Sequence, residues 1–277
     1  MSSSLLYRLA CACALATAPA SVFAVDGVVL INQASVATGD ITSGDTPGFP
    51  VTISQPGSYR LSGNLTVPDA NTTAIEITSS FVTLDLNGFS ILGPTVCTGT
   101  PVTSCSPAGS GIGIFGQAEA SAVRILNGSV HGMGQVGVRL DGPGSVVDRV
   151  NSTGNASFGI IATGGIVTAS LASDNGQGGI DSVTAMDSIA DFNAGTGIEV
   201  NSGVALRNSA NNNTFSGYSE GKSTLLYDHA NANAQFGVTA GCTSFIFGNA
   251  LIANGGLIQD FSTPAMPCGI AENSPTQ

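Results

Sequence analysis

Through the second half of the chain two columns of residues recur at a period near twenty, and no other feature restricts the fold so tightly. Glycines that precede an apolar or aromatic residue fall at Gly137, Gly159, Gly179, Gly197, Gly217 and Gly237, with spacings of 22, 20, 18, 20 and 20 residues. Asparagines keep step at Asn155, Asn175, Asn193, Asn213, Asn233 and Asn254, spaced 20, 18, 20, 20 and 21. Five residues before most of these asparagines stands a small polar or acidic residue (Ser170, Ser188, Asn208, Asp228, Asn249), and three before stands a small apolar one (Ala172, Ala190, Ala210, Ala230, Leu251).

Between the columns lie short apolar segments such as Val146 to Val150, Ile166 to Ser170 and Val204 to Arg207. They are too short for helices and are bounded by Gly, Asn and Ser, so they read as strands joined by turns. A leucine-rich repeat has a similar period, but no L-x-x-L-x-L framework recurs. The spacing therefore predicts a parallel β-helix, in which each coil stacks on the last at about 4.8 Å and equivalent residues form ladders. Stacked asparagine amides bond along such an axis. The tolerance of Asn and Gly for left-handed backbone further suggests that these two columns sit at the corners.

Upstream the coils are less regular. Residues 73–77 and 81–93 alternate apolar and polar side chains as half-buried strands do, and 110–126 continue the pattern. Between them 94–109 carry three prolines with Cys97 and Cys105, a loop extruded from one coil and stapled by a disulfide. The string VTLDLNGFSILG at 82–93, followed by the Gly- and Asn-paced coils, resembles the right-handed parallel β-helix repeat proteins (PbH1 repeats) of the pectin-lyase-like superfamily, NosD-like proteins among them. The resemblance covers roughly residues 50 to 265. It implies an all-β, single-stranded right-handed parallel β-helix of about eight to ten coils of roughly 20 residues. It implies no single activity, because lyases, hydrolases, epimerases and adhesins share that fold. Hydrolases of this superfamily carry Asn-Thr-Asp, Gly-His-Gly and Arg-Ile-Lys strings. Here Asn213-Thr214-Phe215, Val130-His131-Gly132 and Arg124-Ile125-Leu126 each depart at a residue the chemistry needs.

Residues 1–24 read as a signal peptide, with basic Arg8, an apolar run from Leu9 to Ala18 and a cleavage site near Ala24. This predicts a secreted or periplasmic protein. The stretch is too short and too interrupted to span a membrane. Four of the six cysteines lie beyond it, an even number suited to an oxidising compartment, and chain proximity pairs Cys97 with Cys105 and Cys242 with Cys268. Residues 25–50 are expected to cap the first coil, 51–265 to form the β-helix and 266–277 to be a tail. With 18 acidic against 7 basic residues the formal charge is −11, which repels nucleic acid.

Ladder geometry also places surface residues. Two positions after the glycines stand Arg139, Ile161, Asp181, Glu199, Ser219 and Thr239, so Asp181 and Glu199 are expected as stacked neighbours, the separation of paired carboxylates in a retaining glycosidase. Six before the asparagines stand Arg149, Ala169, Asp187, Arg207, Tyr227 and Gly248, with His229 close by. A uronate lyase needs a cation to neutralise a carboxylate and a base to take the adjacent proton, roles that Arg207 with Tyr227 or His229 match. The plainer alternative is an Asp187–Arg207 ion pair with Tyr227 against the arginine. His131 reads as a turn residue. No cofactor and no metal centre are expected beyond a weak calcium site at Asp174, near Asn175 and Asp191. With no Trp and only four Tyr, the chain has few platforms for sugar rings. Together these features point to an exported, non-catalytic polysaccharide-binding or surface scaffold protein, with a polysaccharide-active enzyme as the alternative.

Overall fold

The computed structural model describes residues 27–241, 244–260, 269–271 and 274–276, with side chains described as far as residue 256. The expected signal peptide, the Cys242–Cys268 pairing and most of the tail lie outside the described residues. The chain forms a parallel β-solenoid of about 10 turns of ~21 residues. Each full coil contributes to three sheets. The first sheet runs from Val51–Ile53 through Ile75–Ile77, Ile114–Gly116 and Val138–Leu140 to the leading halves of Ile160–Thr168, Ile180–Met186 and Ile198–Leu206, then Tyr218–Glu220 and Phe236–Ala240. The second sheet includes Val29–Ile31, Gly57–Leu61 and Thr224–Leu226, and the third Ser90–Leu92, Leu171–Ser173, Ile189–Asp191, Ser209–Asn211 and His229–Asn231. Gly269–Ala271 and Ser274–Thr276 still pair with Phe245–Phe247 and Ala250–Ile252. The solenoid thus runs beyond residue 265, where the Asn and Gly pacing has ended.

The asparagines form an inner ladder. From Asn155 to Asn254 each Nδ2 donates to the next Oδ1 at 2.9, 3.0, 3.0, 3.0 and 2.8 Å, and each backbone N–H donates to that same oxygen. The second Nδ2 hydrogen of Asn175, Asn193, Asn213 and Asn233 reaches the carbonyl of Ser152, Ala172, Ala190 and Ala210. These amides are buried with their hydrogen-bonding capacity filled, the condition under which a polar interior stabilises rather than costs.

The corners differ from the sequence expectation. Neither the ladder asparagines nor their glycines have positive φ. The left-handed residues are the columns six before and one before each asparagine: Arg149, Ala169, Asp187, Arg207 and Tyr227 at 47 to 56°, and Asp174, Phe192, Asn212, Ala232 and Ala253 at 52 to 58°. The glycines are required for space. A Cβ on Gly197 would lie 2.6 Å from Asn213 Nδ2, 2.8 Å from Gly217 O and 2.9 Å from Ala210 Cβ. Gly159, Gly179 and Gly217 meet the same three partners one coil on. Glycine, alanine and asparagine therefore recur together because they interlock across adjacent coils. The single 18-residue spacing is absorbed at the first corner, where only Val183 separates the paired segments 180–182 and 184–186, against three residues in each flanking coil.

Large apolar side chains such as Ile31, Leu61, Leu84, Ile91 and Ile125 fill the early coils, and Ala172, Ala185, Ala190, Ala205 and Ala210 the later ones, where the amide ladder takes up the interior. At the N-terminal end a helix, Gln33–Thr38, opens with a capping box between Asn32 and Ser35 and buries Val36. Residues 94–109 form an antiparallel hairpin, Val96–Gly99 with Val102–Ser106, closed by the Cys97–Cys105 disulfide. It leaves the end of the third sheet, rejoins at the first and lies along the corner between them. There Thr95 N donates to Gly132 O at 2.9 Å and Val102 N to Phe192 O at 3.1 Å.

Candidate functional site

The first sheet and the corner leading into it carry the largest concentration of recognisable chemistry. Strand alternation turns every second residue of the first sheet outward, giving the row Thr52, Glu76, Phe115, Arg139, Ile161, Asp181, Glu199, Ser219 and Thr239. Asp181 and Glu199 are direct register partners, which sets their Cα atoms at the strand spacing of about 4.8 Å. Both are half-buried. Burial raises the pKa of Asp181 against a lowering hydrogen bond from Asn201. Burial first, and then the charge of Asp181, raise Glu199 to about 6. Two coils earlier Arg139 holds Asp141 through Nε at 3.0 Å and Nη2 at 2.9 Å, with its guanidinium 5.7 Å from the Phe115 ring centroid.

Beside the carboxylates the corner opens into a groove of about 380 Å³ between Phe158 and Phe215, floored by Gly178 and Ala194 to Thr196 and edged by Glu199. A Cβ on Gly178 would come within 2.3 Å of the Phe158 ring, so glycine there lets the ring lie against the backbone. Phe215 is 49% exposed. The hairpin tip bonds to Phe192, two residues before the groove floor. A second hollow of about 360 Å³ lies on the same side, near the N-terminal end, between Phe49 and Phe115 with Glu76. Composition had suggested too few platforms for sugar rings because Trp is absent. The aromatics of the groove are phenylalanines in turns, Phe215 exposed and Phe158 half-buried, and both lie outside any repeating column.

The other proposed constellation lies on a different edge. Asp187 and Arg207 form a bidentate pair, Nε to Oδ1 at 2.8 Å and Nη2 to Oδ2 at 2.9 Å, at the corner between the second and third sheets. The hydrogen bonds and the charge of Arg207 lower the pKa of Asp187, and those of Asp187 raise Arg207. Tyr227 sits in the same left-handed column but packs edge-on against Phe247, at 5.8 Å between centroids, rather than on the arginine. His229 is exposed at the start of the third-sheet strand. There the arginine is already neutralised by Asp187. Arg207→Ala is therefore expected to leave the thermal midpoint within about 2 °C of the parent, and a fall as large as that of a ladder asparagine would contradict this placement.

His131 ends the strand Arg124–His131 instead of lying in a turn; its Nδ1 is 2.5 Å from Thr153 Oγ1 and burial lowers its pKa. Asn175 points inward, its amide committed to the ladder, which leaves Asp174 and Asp191 of the suggested calcium site. Asp191 is raised mainly by burial, opposed by hydrogen bonds from Asn211 and reinforced by the Asp174 charge. Among the described residues no group of three or more His, Cys, Asp or Glu side chains is placed to hold a metal, and no helix is long and apolar enough to cross a membrane.

No protein-family model and no curated protein matches the sequence. Among solved structures the chain is similar to the A-module of Azotobacter vinelandii mannuronan C-5 epimerase AlgE6, with 16% identity and a TM-score of 0.50 over 74% of this chain and 64% of that module. The chain thus spans less than two thirds of that module's length. The AlgE4 A-module from the same organism aligns at 13% identity and a TM-score of 0.47 over 91% of this chain and 89% of that one. The Dettilon tailspike protein aligns at 14% and 0.37 over 76% and 60%. At these identities the likeness, carried by the first of the three, is one of fold.

Proposed function

We propose that this is an exported β-helix protein of the PbH1-repeat branch of the pectin-lyase-like superfamily, which binds an extended neutral polysaccharide along its first sheet without turning it over. The observation that carries the reading is the groove between Phe158 and Phe215, which opens beside the polar end of the outward row, Asp181, Glu199, Ser219 and Thr239, repeating at the coil spacing. Sugar rings pack on exposed aromatic faces, and a polymer of regular repeat suits a ladder of regular repeat. The charge on the site selects the polymer. Asp181 and Glu199 would repel a uronate carboxylate at neutral pH, and Arg139, the outward cation of that row, is held by Asp141. The mannuronan named for the epimerase modules is thus a less suitable ligand here than an uncharged glycan.

Native-gel retardation by neutral polymers (β-glucan, xyloglucan, galactomannan) against acidic ones (alginate, pectate, chondroitin) tests this. Neutral polymers are expected to retard the protein, and Phe215→Ala to weaken that binding roughly tenfold with unchanged thermal stability. Failure of every neutral polymer, or preferential binding of acidic ones at pH 7, would overturn it.

One observation favours a second reading, glycoside hydrolysis. Glu199, raised to about 6 and stacked on a second carboxylate, has the makings of a general acid. Release of reducing ends from a neutral glycan near pH 5.5, lost in Glu199→Gln, would replace the binding reading with the hydrolytic one.

A further inference from the structure

The coil from Tyr218 to Asn233 differs from its neighbours by what it encloses. Glu220 occupies an inward column otherwise filled by Leu140, Ala162, Ser182, Val200 and Ala240, and is 7% exposed; neither carboxylate oxygen has a well-formed hydrogen bond, and the Ser244 hydroxyl lies close enough to draw its pKa down. Asp228, 1% exposed, interrupts a second inner ladder that runs Ser170, Ser188, Asn208, Asp228, Asn249. Its Oδ1 accepts from Asn208 N at 2.7 Å and Asn208 Nδ2 at 3.0 Å, as an asparagine there would, but its Oδ2 has no partner. In the same ladder Asn208 Nδ2 donates to Ala185 O at 2.9 Å and Asn249 Nδ2 to Leu225 O at 3.2 Å. The ladder therefore offers a donor at the place where Asp228 presents an oxygen.

We infer that this coil is a proton-closed latch: Glu220 and Asp228, enclosed together, hold the C-terminal coils shut while protonated and loosen them as the solution turns alkaline. Nothing described inside the coil offers a compensating charge. Tyr218 Oη is spent on His229 O, Ser223 Oγ on Val200 O and Ser244 Oγ on Gly221 O. Val200 and Ala240 flank Glu220 in register, and Asp260 follows one coil on. Arg207, outside the coil and bound to Asp187, pulls Asp228 down only as the last of several influences. An unpaired carboxylate in such a place is expensive, whereas a carboxylic acid resembles the amide it replaces.

Burial raises Asp228 to about 7, against lowering hydrogen bonds from Asn208 and the Leu226 backbone, and Glu220 to about 8, against a lowering contact with Ser244, from ordinary values near 4. Both shifts are upward, so the folded state binds these protons more tightly than the unfolded chain. Their contribution to stability is complete below about pH 4 and falls away as pH rises through about 8. The groove shares in this, because Gln235 N, just past the latch coil, donates to Phe215 O. The latch itself stands independently of what the groove binds.

Thermal midpoints between pH 5 and 8.5 test it on the full chain, with Asp228→Asn, which restores the ladder residue, Glu220→Val, which puts the uncharged residue of the preceding coil in the column, and the double variant. The parent is expected to lose about 10 °C over that range, each single variant roughly half as much, and the double variant little. Hydrogen exchange of the parent, corrected for the intrinsic pH effect, is expected to lose protection from Tyr218 onward and to keep it in residues 114–162. An equal pH slope in parent and double variant, or a uniform loss of protection along the solenoid, would overturn the inference.

Discussion

Replacing Asn193 by alanine is expected to lower the unfolding free energy by about 4 kcal/mol and the thermal midpoint by about 10 °C. The side chain is fully buried and joins three coils. Its removal strands Asn175 N–H, which it accepts at 3.0 Å, and takes one hydrogen bond each from Asn175 Nδ2, Ala172 O and Asn213 Oδ1, at 3.0, 3.1 and 3.0 Å; Asn175 Nδ2 keeps Ser152 O, and Asn213 Oδ1 keeps the backbone N–H of residue 193. Water cannot enter to replace these partners without opening the corner, so each group bears much of its desolvation cost. Asn151→Ala, at an exposed asparagine on the third sheet, is the control and should move stability by less than about 0.5 kcal/mol. Urea unfolding of the two variants measures the contrast. Equal effects would mean that the ladder contributes no more than a surface asparagine does.

Gly197→Ala is expected to cost about 3 kcal/mol, because its methyl must displace the Asn213 amide, the Gly217 carbonyl or Ala210. Gly63→Ala, whose Cβ would find only Asn32 Cβ at 3.7 Å, should be neutral or slightly stabilising. Gly197→Asn separates space from backbone conformation as the reason for glycine. A left-handed site tolerates asparagine better than alanine, whereas a site short of volume tolerates it worse. The second order is expected, and the first would restore the dihedral explanation.

How much of this was readable beforehand follows from which residues recur. The period specified the solenoid, the inner asparagine ladder and the pairing of Asp181 with Glu199, because equivalent positions stack by construction. The two-cysteine loop was readable as a stapled excursion but not as a hairpin along the groove corner, since its contacts with Gly132 and Phe192 are remote in sequence. The left-handed columns were missed because Arg149, Ala169, Asp187, Arg207 and Tyr227 share a dihedral and no side-chain chemistry. Phe158 and Phe215 escaped for the opposite reason: their chemistry is distinctive, but they lie in turns where no column marks them. Glu220 did leave a signal, an acid three residues after Gly217 in a column otherwise without charge from Leu140 to Ala240. Only its burial shows that the side chain has no way out.

The first sheet and its corner groove are the proposed glycan-binding face. Crystals soaked with a neutral hexasaccharide test it most directly. The expected result is density for consecutive sugars along the first sheet, with one ring against Phe215 or Phe158 and hydroxyls on Asp181 and Glu199. Density instead beside Arg207 and Tyr227, or none at a concentration that saturates binding in solution, would contradict it.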